Sequence, residues 1–236
     1  TVYASDYLSA KLGMKNGDVY NQKLLGERTS SDSDAIGNDY YNQGYVFFSL
    51  DPVEVNIVGD SIDLEMRIME GPQATINKVR INGNDRLYEN IVRRELRTKP
   101  GDLFNRDALE RSYREIAQMG HFNPENIQPD VQPDAANGTV DINWNLESKP
   151  NDQIEFSAGW GQTGVIGKLS LKFTNFSMSN LFRKNDNYRG IIPQGDGQTM
   201  TVSGQTNGSY YQSYSISFLD PWFGGKRPNS LSVSAF

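Results

Sequence analysis

The side chains able to carry chemistry are few in this sequence, and their spacing does not suit catalysis. There is one histidine, His121, and no cysteine. Composition alone therefore excludes a metal site built on several His or on Cys, a thiol nucleophile, an iron–sulfur cluster and a disulfide framework. His121 follows Gly120, a helix-stopping residue type, and reads as structural. Asp18 and Asp102 each follow a glycine in equivalent turns, which suits turn capping better than a catalytic carboxylate pair. Gly159-Trp160-Gly161-Gln162-Thr163-Gly164 imitates a phosphate loop, but neither a Lys-Ser/Thr pair nor a helix follows it. No enzyme is read here and no cofactor is implied. The formal net charge of -6, from 23 Lys plus Arg against 29 Asp plus Glu, argues against nucleic acid, whose phosphates call for surplus cations.

What remains is the chemistry of the main chain. A strand at the edge of a sheet offers a row of free N–H and C=O groups to which another strand can add. Such edges must come from the elements, and these fall into two styles. Residues 1–150 mix helical and strand periods, whereas 151–236 show period two with Gly, Asn and Ser punctuation; the change comes near Ser148-Lys149-Pro150-Asn151. The longest apolar stretch is Tyr45-Val46-Phe47-Phe48, too short for a membrane-spanning helix.

The first style contains a repeat. Gly17-Asp18-Val19-Tyr20-Asn21 recurs as Gly101-Asp102-Leu103-Phe104-Asn105, and Gln43-Gly44-Tyr45 corresponds to Met119-Gly120-His121. Alternating Ile62, Leu64, Met66 and Ile68 match Val140, Ile142, Trp144 and Leu146. The second unit reads strand, helix, helix, strand, strand. A strand covers 76–81, a helix 87–96 starts from Asn84 or Asp85, a helix 106–119 is capped by Asn105, and strands follow at 127–131 and 140–146. The first unit lacks its opening strand, so the chain is expected to start inside a domain, with a helix running from Ser5 or Asp6 to Gly13. It also carries an insert, and residues 29–34 read as a solvated loop. In each unit the last two strands form a hairpin, and a right-handed crossover sets the opening strand parallel to the last one. The penultimate strand is then an edge: Val53, Glu54, Val55, Asn56 and Ile57 in the first unit, Ile127, Gln128, Asp130 and Val131 in the second. Pro129 within that strand and Pro133 just after it suit an edge, either as a docking site or as a block on aggregation.

Residues 151–236 read as barrel strands. Ile154, Phe156, Ala158 and Trp160 alternate with Glu155, Ser157, Gly159 and Gly161. Leu169, Leu171 and Phe173 alternate with Ser and Lys, Met200 and Val202 with Thr and Ser. Tyr214, Ile216 and Phe218 alternate with Ser, and Leu231 and Val233 begin a fifth strand. Asn207-Gly208 is a hairpin signal. Trp160, Phe173, Phe176, Tyr210, Trp222 and Phe223 sit at strand ends, as interfacial aromatics do. A soluble sandwich also alternates, so it stays open as an alternative. A barrel must close and bacterial ones start at about eight strands, so more strands are expected after Phe236.

In order along the chain, Glu70-Gly71-Pro72, Val79-Arg80-Ile81-Asn82-Gly83-Asn84, Lys99-Pro100-Gly101-Asp102-Leu103-Phe104-Asn105, Gly120-His121-Phe122, the segment from Ile154 to Gly161 and Leu219-Asp220-Pro221-Trp222-Phe223 resemble the BamA-like outer-membrane assembly factors. The long turn 176–197, with Ile191-Ile192-Pro193, departs from that pattern. The resemblance implies an α+β fold of POTRA modules (β-α-α-β-β) followed by part of an antiparallel transmembrane β-barrel. Residues 1–73 would be a POTRA module without its first strand, 74–150 a complete one, and 151–236 the first four barrel strands with the start of a fifth. It further implies an outer-membrane place with the modules in the periplasm. Turns 176–197 and 220–229 would be periplasmic, and 162–167 and 207–208 extracellular. The implied partners are unfolded outer-membrane proteins, accessory lipoproteins and outer-membrane lipid. The first barrel strand (Gln153, Ile154, Glu155, Phe156, Ser157, Ala158, Gly159, Trp160, Gly161) would be a lateral gate that accepts client strands, its glycines weakening the pairing or relieving crowding. A two-partner-secretion transporter exporting one dedicated substrate is the alternative from the same superfamily.

Overall fold

The computed structural model describes residues 2–161, 164–182, 192–208 and 210–236. Of the turns expected from the sequence, 162–163 and 183–191, with Ile191, lie outside the described residues. The chain forms two compact units: Thr1–Arg80 with Leu96–Glu115 and Gln128–Asn145, and Ile81–Glu95 with Ile116–Ile127 and Leu146–Phe236.

In the first unit, α1 (Ser5–Leu12) stops at Gly13 as expected, although its N-cap is Ala4 and no side chain caps it. α2 (Gln22–Gly26) starts at Asn21, whose Oδ1 accepts from the Leu24 N–H at 3.1 Å. The chain then makes a π-type turn, Glu27–Ser31, and α3 (Ile36–Asn42). The insert is thus partly helical where a loop was expected. Arg28 explains the order: its Nε donates to the Lys11 carbonyl at 3.0 Å and its guanidinium pairs with Asp34 at 2.9 Å, tying the insert to the end of α1. Leu8, Ile36, Tyr40 and Phe48 form the core of this part, with the Tyr40 and Phe48 rings stacked 4.0 Å apart. β1 (Ser49–Val58) and β2 (Ser61–Met69) form an antiparallel hairpin whose register slips between Glu54 and Asn56, making Val55 a bulge.

The rest of the first unit belongs to the sheet β3 (Thr75–Asn82), β5 (Thr139–Asn145) and β4 (Gln128–Asp134), in that spatial order. Thr75 to Gly138, Asn77 to Asp141 and Arg80 to Asn143 ascend together, so β3 and β5 run parallel. β4 is the edge, with Pro129 opposite Trp144 and Pro133 opposite Val140. Two expectations need correcting here. The strand runs through Pro133 instead of ending before it. Ile127 precedes the strand, after a 3-10 turn Pro124–Asn126, and is 4% exposed, so it is a core residue and not an edge residue. On β5, Val140, Ile142 and Trp144 are fully buried at every second position, as period two requires. α5 (Arg106–Gln118) has the expected Asn105 cap, whose Oδ1 accepts from the Ala108 N–H at 2.8 Å. Asn105 and its neighbours also join the repeats: Asn105 Nδ2 donates to the Asn42 carbonyl, the Asp107 N–H to Asn42 Oδ1, and Arg106 to Asn38.

In the second unit, α4 (Glu89–Arg93) is shorter than the helix expected over 87–96. Asn84 does not cap it. Its side chain instead accepts from the Leu87 N–H at 3.2 Å and donates to the Leu87 carbonyl at 2.9 Å, folding the would-be first turn into a loop. Gly83 precedes it with φ 76°, and a Cβ there would lie 1.9 Å from the Leu146 carbonyl oxygen. β6 (Gln153–Gly161), β7 (Gly164–Phe176), β8 (Gln198–Thr206), β9 (Gln212–Asp220) and β10 (Leu231–Ala235) form one antiparallel sheet in sequence order. A five-residue helix, α6 (Met178–Phe182), follows β7. The sandwich alternative would divide these strands between two sheets, and they make one.

Gly83→Ala is expected to lower stability by about 2–4 kcal/mol, because the backbone of Leu146 must move. Gly59→Ala, with a similar φ of 60° but no atom near the new Cβ, is expected to cost about 1 kcal/mol. Urea midpoints of the two variants against the parent check the difference.

Candidate strand-addition site

The register of the five-stranded sheet sorts its side chains cleanly. Ile154, Leu171, Val202, Ile216 and Ala235 lie opposite one another across all five strands. One row away in one direction come Phe156, Leu169, Gly204 and Tyr214; in the other, Phe173, Met200, Phe218 and Val233. The opposite face carries Gln153, Lys172, Thr201, Ser217 and Ser234, and then Glu155, Ser170, Ser203 and Ser215. Hydroxyls on this polar face bond across strands, Ser203 with Ser215 at 2.6 Å and Ser234 with Ser217 at 3.0 Å. The apolar face is open: Ile154 and Phe156 are each 76% exposed. A continuous apolar face of this extent, backed by a hydroxyl-rich one, suits lipid outside and water inside.

β6 is the edge of that sheet. Every residue from Gln153 to Gly161 pairs with β7, from Lys172 back to Gly164, and among the described residues with no other strand. A Cβ on Gly159 would meet nothing within 4 Å, and one on Gly161 would come only to 3.6 Å from Ile166. The gate-strand residues read from the sequence are thus consecutive on one free edge. Val53, Glu54, Asn56 and Ile57 lie on β1, which pairs only with β2 among the described residues, with Val55 as its bulge. Gln128, Asp130 and Val131 lie on the β4 edge, and Ile127 does not.

Sequence reasoning missed a clasp at the base of the strands. Asp152, one residue before β6, accepts from Arg86 at 3.1 Å and from the Thr174 N–H at 2.9 Å. Asn175 is buried and fully used: Nδ2 donates to the Arg86 carbonyl at 2.8 Å, while Oδ1 accepts from the Gly195 and Gly197 N–H groups at 3.2 Å. The Tyr88 N–H donates to the Gly195 carbonyl at 2.9 Å, and Asn180 donates to the Tyr88 hydroxyl at 2.6 Å. Gly195 is needed here, since a Cβ would fall 2.6 Å from the Tyr88 ring. Arg94 lies over the Trp222 ring at 4.8 Å. The segment from Arg86 to Arg94 therefore contacts Asn175, Asn180 and Gly195 as well as Trp222 in the β9–β10 turn. Of the aromatics expected at the membrane interface, Trp222 is half-buried under Arg94 and Phe176 is buried edge-on to Phe218. Arg86 lies 66 residues from Asp152 and 89 from Asn175, and Tyr88 lies 92 from Asn180, so no local period signals the clasp. The one local hint was the pairing of Asp220, which accepts from the Trp222 N–H, with an aromatic at a turn.

His121 lies beside Gly197 in the same region. Burial, and next the charge of Arg86, push its pKa below the ordinary value, while Asp152 pulls the other way. A folded-state pKa held down means the unfolded chain binds the proton first. The stability drawn from neutral His121 is complete above the unfolded value, about 6.5, and is lost as pH falls from there towards the folded pKa. The urea midpoint is expected to drop on acidification through this window. His121→Asn is expected to lack that part of the pH dependence.

A family model described as POTRA, surface antigen variable number repeat, matches residues 1–71 and 74–149, more than half of the chain. The outer membrane protein assembly factor BamA of Neisseria meningitidis is 28% identical over 224 residues, 92% of this chain and 24% of that protein. The BamA of Neorickettsia risticii is 23% identical over 180 residues, 76% of this chain and 23% of that protein. The chain thus spans about a quarter of the length of these curated relatives. Among solved structures, BamA from Haemophilus ducreyi lacking POTRA domains 1-3 superposes with a TM-score of 0.71 at 19% identity, over 97% of this chain and 39% of that one. The chain belongs to the POTRA family, and its fold is BamA-like: POTRA modules leading into antiparallel strands of a transmembrane barrel.

Proposed function

We propose that this chain is the junction of an outer-membrane β-barrel assembly factor. Residues 1–73 and 74–150 act as POTRA modules, and 151–236 as the first four strands and the start of the fifth of its barrel. It sits in the outer membrane with the modules in the periplasm. β6, Gln153–Gly161, is the gate strand, to which an unfolded outer-membrane protein adds its own strand by main-chain hydrogen bonds. That chemistry needs no particular client side chain, so it suits many substrates. β1 and β4 offer further edges to unfolded clients or to accessory lipoproteins. No catalytic step is involved. The observation that carries the reading is that POTRA modules lead directly into an antiparallel sheet with a lipid-suited face, whose first strand is β6.

A photo-crosslinker replacing Ser157 in the full-length protein is expected to capture many nascent barrel proteins, and depletion of the protein is expected to lower outer-membrane barrels broadly. Capture of one exported protein, with other barrels intact after depletion, would overturn the assembly reading in favour of a dedicated transporter.

A further inference from the structure

α6 is built inside out. A helix on a water-facing surface turns its apolar side chains to the protein and its polar ones to solvent. In α6 the polar side chains are tied to the protein instead. Ser179 Oγ donates to Asp196 at 2.6 Å, as does Ser177 Oγ just before the helix. Asn180 donates to the Tyr88 hydroxyl at 2.6 Å and to the Gln194 carbonyl at 2.8 Å, and its N–H donates to Ser177 Oγ at 3.1 Å. Leu181 and Phe182 point outward, 54% and 80% exposed. Five residues do not hold a helix on their own in water. This one is fixed by side-chain bonds on one flank and presents a leucine and a phenylalanine on the other.

The surroundings say what that flank meets. α6 begins two residues after Phe176, and Phe176 packs edge-on against Phe218, a member of the apolar face of the sheet. α6 therefore continues that face at the end of the sheet where the chain enters β6. We propose that α6 is a membrane foot: Leu181 and Phe182 insert into the headgroup–acyl boundary of the periplasmic leaflet, and the clasp through Asn180 and Tyr88 fixes the base of β6 and β7 relative to that leaflet. Aromatic and aliphatic side chains at this depth are the usual anchors of interfacial segments. The inference rests on the barrel reading above.

The test keeps the two apart. These 236 residues contain no cysteine, so Phe182→Cys, Ile216→Cys and Asn90→Cys each give one labelling position here. Each is made in the full-length protein, labelled with an environment-sensitive fluorophore and reconstituted in phosphatidylethanolamine–phosphatidylglycerol vesicles. Heat-modifiable gel mobility verifies the folded barrel. The expected result is blue-shifted emission at 182, with strong loss of intensity to bromine carried on upper acyl carbons and little loss to aqueous iodide. Position 216 should behave likewise with deeper bromine, and position 90 should respond to iodide alone. Lipid quenching at 216 with iodide access at 182 would overturn the foot and leave the barrel standing. Shielding at 182 from both quenchers would overturn it in favour of a protein partner on α6. Iodide access at both 182 and 216 would remove the barrel reading and the foot together.

Discussion

A peptide group in hydrocarbon has no water to bond to, so each N–H and C=O of the membrane-facing strands must find a partner in a neighbouring strand. The five-stranded sheet is organised by that constraint. Its pairing is regular, with one slip near Phe176, and keeps the side-chain rows in step from Ile154 to Ala235. A one-residue error would turn every apolar row towards the hydroxyl-rich side. The same constraint applies to the outer sides of β6 and β10, each paired with one strand among the described residues, and a closed barrel must pair those sides as well.

The parts of the molecule under local control were legible from the sequence. Period two marked the sheet because the alternation of Ile154, Phe156 and Trp160 with Glu155 and Ser157 is a property of adjacent residues. The Asn105 cap and the Gly13 stop could be read for the same reason. Side-chain competition was not legible. Asn84 can cap a helix or bond around its own turn, and only the position of Gly83 against Leu146 selects the second. Arg28 orders an insert whose Ser and Asp content reads as loop. Ile127 illustrates a further limit: one residue of phase separates a strand edge from the core.

The candidate site divides the same way. The strand Gln153–Gly161 was read whole, since its alternation is a property of adjacent residues. The clasp was not, since Arg86, Tyr88 and Arg94 look like ordinary polar residues of a loop and a short helix. Their meaning comes from Asp152, Asn175, Gly195 and Trp222. Main-chain groups of Arg86, Thr174, Gly195 and Gly197 meet the clasp's side chains, and the Tyr88 N–H meets the Gly195 carbonyl, so part of its chemistry is carried by backbone position and by the small size of Gly195.

The clasp also bears on the order in which the molecule is made. Its second unit draws on three separate stretches of chain, and the bond from Asn175 to Arg86 closes across 89 residues. Contacts of such sequence separation form late, because the entropy of closing the loop must be met before they contribute. The loop from Arg86 to Tyr88 emerges from synthesis long before its partners do. The contacts of Tyr88 with Asn180 and Gly195, and of Arg94 with Trp222, form only after those later residues are made. Completion of this unit therefore requires the barrel strands: its base cannot close before β7 and the turn beyond it are in place.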